Sequence, residues 1–310
     1  MGAFMTAFNA VLPLFLIILA GLLFSRTRAA SSYWIDVLNK YALWIGFPAL
    51  VIHSLSQLDL SGGPILKLVL ANSIYIVTCI LLAYPVSLFF KLSNLQRRTL
   101  FLVFAFGNVA YLGMPVLQNM MGDQILPVAA ILSAVYVFWL LTLALVLVEV
   151  HAEEGHLHLA KISASLVKNP LLLSVMAGIL ILVFDIQLPA ALSKTISMFS
   201  GSVTPVVLFS LGIFMGYQSR GTLRDWAFTG VFVLITMVLF PAVFYLTIRN
   251  SSLPGDYIKA SILDAAMPLG LTPYALSQQY HLDTPFAART VVLATLVSVL
   301  ILPVWSLILG

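Results

Sequence analysis

Phe106-Gly107-Asn108-Val109-Ala110-Tyr111-Leu112-Gly113-Met114-Pro115 is the stretch on which the reading of the fold turns. It lies inside an apolar run, 100–121, about as long as the ~20 residues a helix needs to cross a bilayer. Proline removes a backbone donor and blocks the bond to the preceding turn. Glycine tolerates the unwound backbone that results. A second run, 257–279, carries Asp264-Ala265-Ala266-Met267-Pro268-Leu269-Gly270-Leu271-Thr272-Pro273, with two prolines and a glycine between them. Unwound backbone at membrane depth is tolerated only where it is buried in protein or lines a cavity. Either stretch alone is explained by a proline kink relieved by packing. As a matched pair they favour a binding site.

Outward from these two stretches the chain is apolar throughout. Of its 310 residues 61% are hydrophobic and 8% charged, and the mean hydropathy is +1.07. A soluble domain carries about 25% charged residues, so too few charges remain to coat a soluble surface. Ten runs are long enough to span: 8–24, 34–56, 65–90, 100–121, 125–148, 166–184, 196–217, 226–248, 257–279 and 286–309. They lack the alternation of an outer-membrane barrel. The expected fold is therefore an all-α integral membrane protein of ten transmembrane helices, spans 4 and 9 broken. The first run lacks a basic flank before it and reads as a retained span rather than a cleaved signal. Cys79 is the only cysteine and has no partner for an internal disulfide.

The net charge of +4 reflects orientation. Eleven of the 15 basic residues lie in or beside the connections after spans 1, 3, 5, 7 and 9: Arg26, Arg28, Lys40, Lys91, Arg97, Arg98, Lys161, Lys168, Arg220, Arg224 and Arg289. The other side has Lys67, Lys194, Arg249 and Lys259. The positive-inside bias predicts a cell-membrane protein with the 151–165 loop cytoplasmic and both termini non-cytoplasmic. The basic residues stand singly between apolar runs, which argues against a nucleic-acid partner.

The prolines repeat. A shift of about 157 residues lays Pro13 on Pro170 and Pro48 on Pro205, and brings Pro85, Pro115 and Pro127 within a residue of Pro241, Pro273 and Pro285. A three-residue window holds a proline by chance about one time in seven; here five of the six first-half prolines match. Residues 1–150 and 166–310 thus read as two five-span halves, and an odd number of spans gives them opposite orientation. The same shift lays Gly107–Pro115 on Asp264–Thr272. Inverted repeats with paired broken helices are a signature of secondary transporters, whose sites lie between the halves.

Gly107-Asn108-Val109-Ala110-Tyr111-Leu112-Gly113-Met114-Pro115 resembles the Gly-Asn-x-Gly-Phe-Leu-Gly-x-Pro signature of the auxin efflux carrier family. Phe209-Ser210-Leu211-Gly212-Ile213-Phe214-Met215-Gly216-Tyr217-Gln218 resembles the seventh-span motif of its plant PIN members. Lys168-Asn169-Pro170 matches the start of their sixth span, and Pro48 to His53 is similar to their second. The resemblance implies the ten-helix fold of the sodium/bile-acid symporters, with helices 4 and 9 crossing. Spans 1, 2, 6 and 7 would form a scaffold, and spans 3–5 and 8–10 a mobile transport domain moving in an elevator-type mechanism. It also implies a small carboxylate as substrate. Ala110 departs from the usual glycine, and the short loop between spans 5 and 6 departs from most plant members. The chain looks like a bacterial-type carrier of malate- or malonate-like anions, and auxin itself is not implied.

Each candidate residue has a functional and a structural reading. Asn108 carries a donor and an acceptor; it either touches substrate or ties the unwound backbone together. Half-helix N-termini at the crossing offer positive dipole ends that bind carboxylates without any arginine. The substrate carboxylate is expected between Asn108, with Gly107, Tyr111, Met114 and Pro115 beside it, and the segment holding Met267, Pro268, Thr272 and Pro273. His53, Phe209 and Ser210 should close over its apolar part. His53, a lone histidine in an apolar helix, is more often hydrogen-bonded structure than a ligand. Asp264, the only acid deep in a span, reads as a proton or sodium carrier or as a capping carboxylate near the membrane edge. His151, His156 and His158 have metal-ligand chemistry but no zinc spacing. Gly212 and Gly216 form a small-xxx-small pair that packs neighbouring helices rather than joining subunits; a homodimer stays open.

An intramembrane enzyme would need paired carboxylates or a metal cluster inside the spans, so no enzyme is expected, and no cofactor. The chain lacks a nucleotide-binding P-loop. The leading reading is a secondary transporter of a small organic anion in membrane lipid. The alternatives are a sodium-coupled symporter of the bile-acid type and a non-transporting receptor for the same ligand.

Overall fold

The computed structural model of the chain describes residues 2–55, 64–151, 163–164, 167–184, 186–218 and 221–310. Among these residues every regular element is helical, and the one isolated backbone bridge joins Gly107 and Leu269 antiparallel. Seven helices are long and apolar enough to cross a membrane: Phe4–Phe24, Tyr33–Leu55, Ile65–Phe89, Asp123–Val150, Ala190–Tyr217, Leu223–Ile248 and Thr284–Leu309. The other three apolar runs form the shorter helix Pro170–Val183 and two interrupted pairs, Asn94–Ala105 with Met114–Met121, and Gly255–Ala265 with Leu271–Gln279. Large apolar side chains such as Leu66, Ile74 and Phe89 stay exposed along the long helices, as a hydrocarbon surrounding permits. Most of the expected cytoplasmic loop, residues 152–162 and 165, lies outside the described residues, as does Arg220.

Local chemistry sets the helix ends. Ser93 caps the Asn94–Ala105 helix in a reciprocal box with Gln96, and Thr222 caps Leu223–Leu234 the same way with Asp225. Such boxes satisfy two of the first-turn donors that have no helical partner. Asn169 accepts from the N–H groups of Leu171 and Leu172, with Pro170 in the first turn, where its missing donor costs nothing. The Ile65–Phe89 helix closes through Lys91 in the left-handed region at φ 51°, with Leu92 N–H donating back to the Ser87 carbonyl at 2.9 Å.

The described residues form two compact units. Unit 1 comprises residues 1–63, 110–134 and 168–218; unit 2 comprises 64–109, 135–167 and 219–310. In unit 1 the N-terminal helix lies directly on Ala190–Tyr217. A β-carbon at Gly21 would collide with the Phe209 carbonyl, one at Gly212 with the Ile18 carbonyl, and one at Gly216 with Ser25. The small residues of the seventh run thus serve backbone-to-backbone packing inside the unit. Residues 110–134 group with this unit, where Asn119 Nδ2 donates to the Ala10 carbonyl at 3.0 Å; the partition implied by the resemblance places spans 4 and 5 whole with the mobile part. Unit 2 holds an aromatic core in which Phe232 packs edge-on against Phe228 and Phe286, and Trp305 Nε1 donates to the Met237 carbonyl at 2.9 Å.

Candidate functional site

Both broken runs meet inside unit 2. The Asn94–Ala105 helix stops at Phe106, which is extended at φ −151°, ψ 103°. Gly107 then pairs with Leu269, and Asn108 N–H donates to the Pro268 carbonyl at 2.5 Å. A π-turn, Val109–Gly113, follows and leads into Met114–Met121. On the other strand of the contact, Gly255–Ala265 ends at Ala266, and Leu271–Gln279 begins after Gly270 without a side-chain cap. The proline and glycine signals of the sequence are therefore real breaks. Each exposes backbone groups that the other partly satisfies, as burial away from water demands.

The two segments approach closely because glycines stand where they touch. A β-carbon at Gly107 would sit 3.1 Å from the Met267 carbonyl oxygen and 3.2 Å from Met267 Cβ. One at Gly270 would sit 3.2 Å from Phe106 Cε1 and 3.4 Å from Asn108 Cα.

Three polar side chains in this region are buried without partners. Asn108 is 0% exposed, and neither its Oδ1 nor its Nδ2 makes a hydrogen bond. It directly precedes the helical turn that starts at Val109, where asparagine is a favoured cap, but its side chain caps nothing. Its backbone does the tying instead. Asp264 is also 0% exposed, in the last turn of Gly255–Ala265, and both of its carboxylate oxygens lack partners. The capping reading is not what the geometry shows. Tyr136, buried beside the break, keeps an unpartnered hydroxyl. Burying such groups unpaired costs free energy, so this is where a ligand would find donors and acceptors. One turn before Asp264, Ser261 Oγ accepts from Asn72 Nδ2 at 2.9 Å, while Asn72 Oδ1 stays unpartnered. A cavity of about 20 Å³ lies beside the break, lined in part by Phe106, Gly107, Tyr136, Met267 and Leu269. That is room for one water-sized species, not for an organic anion.

The remaining candidates of the crossing divide between the units. Thr272 and Pro273 lie in the first turn of Leu271–Gln279 in unit 2. In unit 1, Tyr111 packs edge-on against Phe47 at 4.9 Å, and Met114 and Pro115 begin the second helix of the broken pair. Phe209 packs on Phe24 at 5.3 Å, and Ser210 Oγ donates to Asn39 Oδ1 at 3.0 Å. His53 lines a polar cavity of about 660 Å³ within unit 1, together with Gln118, Asp123, Gln124 and Ser200. Asn72 and Tyr136 were not singled out by the sequence. Asn72 had a readable signal, a lone amide in an apolar run; a tyrosine in a membrane helix gives none. Among the described residues no three His, Cys, Asp or Glu side chains cluster as a metal site. His151 Nδ1 lies 2.8 Å from the Leu147 carbonyl, with Tyr84 and Phe101 ring centroids within 5.3 Å; His156 and His158 lie outside the described residues.

A polytopic helical membrane protein with paired broken helices at a buried polar site is the class that fold and site define, and comparison with known proteins gives the family. The membrane transport protein family model matches residues 6–306, so the chain belongs to this transporter family, that of the auxin efflux carriers. An uncharacterized transporter of Methanocaldococcus jannaschii is 23% identical over 98% of this chain and 99% of its own length. A putative malonate transporter of Rhizobium meliloti is 25% identical over 93% and 91%. Auxin efflux carrier component 2 of Arabidopsis thaliana is 25% identical over 41% of this chain and 20% of its own length.

Proposed function

We propose that this transporter carries a small organic anion by alternating access, with the substrate carboxylate bound where the broken runs 4 and 9 meet. The carrying observation is Asn108: fully buried, directly before a helical turn, with both side-chain polar atoms unpartnered. The malonate and auxin names among the relatives support a carboxylate. Helix N-termini and amides would hold the charge without a buried arginine. This neutral recognition also permits release. Ten spans in two inverted halves, with spans 3–5 and 8–10 moving as an elevator, would expose the site to each side in turn.

Asp264 is the proposed coupling group. An ionised carboxylate buried there needs a proton or a counter-ion. Its chemistry fits a proton or sodium, the latter caged by carboxylate and carbonyl oxygens. The test is uptake of labelled malonate into proteoliposomes under imposed proton or sodium gradients. Uptake that follows one gradient names the coupling ion. Saturable binding of malonate without flux would make the protein a receptor, and neither binding nor flux would remove dicarboxylates as substrates.

A further inference from the structure

Unit 2 carries a second concavity that the transport reading leaves unused. It is a groove of about 500 Å³ between the Ile65–Phe89 and Phe240–Ile248 helices. Its lining forms one stripe on each helix. On the first, Ala71, Ile74, Tyr75, Thr78, Cys79 and Leu82 recur at the helical spacing of three and four, the spacing that shares one face. On the second the stripe runs from Leu239 to Ile248. Tyr75 and Phe244 stack at 4.2 Å and 12°, fastening the two helices together. The threonine hydroxyls are already spent: Thr78 Oγ1 donates to the Ile74 carbonyl and Thr247 Oγ1 to the Phe244 carbonyl. What remains is an apolar trough on helices whose outer residues, Ile74 and Val243 among them, are 67% and 53% exposed.

Length and charge say what fills it. From Ala71 to Leu82 the helix rises about 16 Å, close to the ~15 Å depth of one leaflet's hydrocarbon, half of a ~30 Å core. One turn before Ala71 stands Lys67, which is exposed and donates from Nζ to Ser252 Oγ at 2.8 Å. Ser252 lies three residues beyond Arg249, the exposed residue that ends the second helix. Both cations therefore stand at the same mouth of the groove. An ammonium has three donors, so Lys67 keeps two for another partner. Lys259, by contrast, is engaged elsewhere, its Nζ donating to the Gly310 carbonyl at 2.9 Å.

We propose that this groove is a binding site for one anionic glycerophospholipid, its acyl chain along the Ala71–Leu82 stripe and its phosphate held by Lys67 and Arg249. The site goes beyond the transport reading and stands or falls independently of it. Tyr75 and Phe240 line both this groove and the small cavity beside the broken helices. Two aromatic rings thus separate the lipid from the neighbourhood of the crossing.

Native mass spectrometry of the purified full chain tests the site, with dioleoyl phosphatidylglycerol and dioleoyl phosphatidylcholine as probes and melting temperature as a second readout. The wild type should retain one phosphatidylglycerol at concentrations where phosphatidylcholine is lost, and melt higher in its presence. Removing both charges as Lys67→Gln with Arg249→Gln should weaken phosphatidylglycerol roughly 25-fold, about fivefold per charge at a membrane surface, and weaken phosphatidylcholine, whose choline cation offsets its phosphate, by less. Val243→Trp fills the groove and should weaken both lipids. Ala71→Phe fills it from the facing helix and carries the test should the tryptophan variant not fold. Equal retention of the two lipids, or charge variants that bind phosphatidylglycerol as the wild type does, would overturn the proposal. So would groove-filling variants that leave phosphatidylglycerol untouched. A dimer that Val243→Trp dissociates would assign the groove to a second copy of the chain and overturn it equally, and retention of oleate as tight as that of phosphatidylglycerol would reject a phosphate-held lipid.

Discussion

The backbone N–H of Asn108 donates to the carbonyl of Pro268, so the asparagine of one broken run is tied to the proline of the other by main chain alone. This leaves the Asn108 amide buried and unengaged. A side chain that is not needed to hold the break together is available for something that binds there. The same arrangement separates structural from functional substitutions at the crossing, because the tie survives changes of the Asn108 side chain.

Asn108→Ala should therefore leave the melting temperature close to wild type and weaken substrate binding. A lost hydrogen bond to a charged group is worth about 1.5–3 kcal/mol, or roughly 10- to 150-fold in affinity. Asn108→Asp should be worse, since it sets a negative charge beside the bound anion. Calorimetry with malonate on both variants decides. An aspartate variant that binds as well as wild type at neutral pH places the substrate elsewhere.

Gly107→Ala and Gly270→Ala should differ. The new methyl at position 107 meets the Met267 main chain at 3.1 Å, whereas at position 270 it meets the Phe106 ring at 3.2 Å. A ring can turn and a backbone tied by the Gly107–Leu269 bridge yields less. Overpacking of this kind costs about 1–3 kcal/mol. Thermal unfolding should show the larger loss for Gly107→Ala, and equal losses would mean that the bridge is not the stiff element.

Asp264→Asn should fold and lose the dependence of transport or binding on proton or sodium. The residue is a buried carboxylate with no protein partner, so the amide removes a charge without breaking an ion pair. Uptake measured across pH and sodium concentration checks this. Unchanged dependence on both ions would make Asp264 structural.

In unit 1, Gly212→Ala should destabilise strongly, because its β-carbon has no space against the Ile18 carbonyl and the Leu22 N–H. Gly201→Ala, on the same helix, meets nothing within 4 Å and should be neutral or stabilising, by up to about 1 kcal/mol of helix propensity. The contrast in melting temperature between the two is the test.

A cysteine at position 155, Gly155→Cys, should react with an impermeant maleimide only from the cytoplasmic side. The expectation rests on the basic residues that favour the odd-numbered connections. The native Cys79 is 3% exposed and contributes little background. Labelling from the outer side alone would reverse the orientation.

The sequence by itself determined the solvent and the punctuation. An apolar chain with 8% charged residues belongs in lipid, where every backbone group must be satisfied internally and helices follow. Prolines and glycines then fix where a helix fails, because a missing N–H and a missing β-carbon act locally. Hence Phe106–Gly113 and Ala266–Gly270 were legible as breaks, and Asn108 and Asp264 stood out as polar residues in apolar runs. Only the tertiary structure decided what those residues touch. Periodicity does not say that Asn108 N–H finds the Pro268 carbonyl 160 residues away in the chain, or that its side chain finds nothing. Nor does it leave the Tyr136 hydroxyl buried and unpartnered beside the break, or make one groove of two apolar stripes that read in sequence as ordinary lipid-facing helix. Those outcomes depend on which faces pack together, and a face is a property of the assembled helices rather than of any one run of residues.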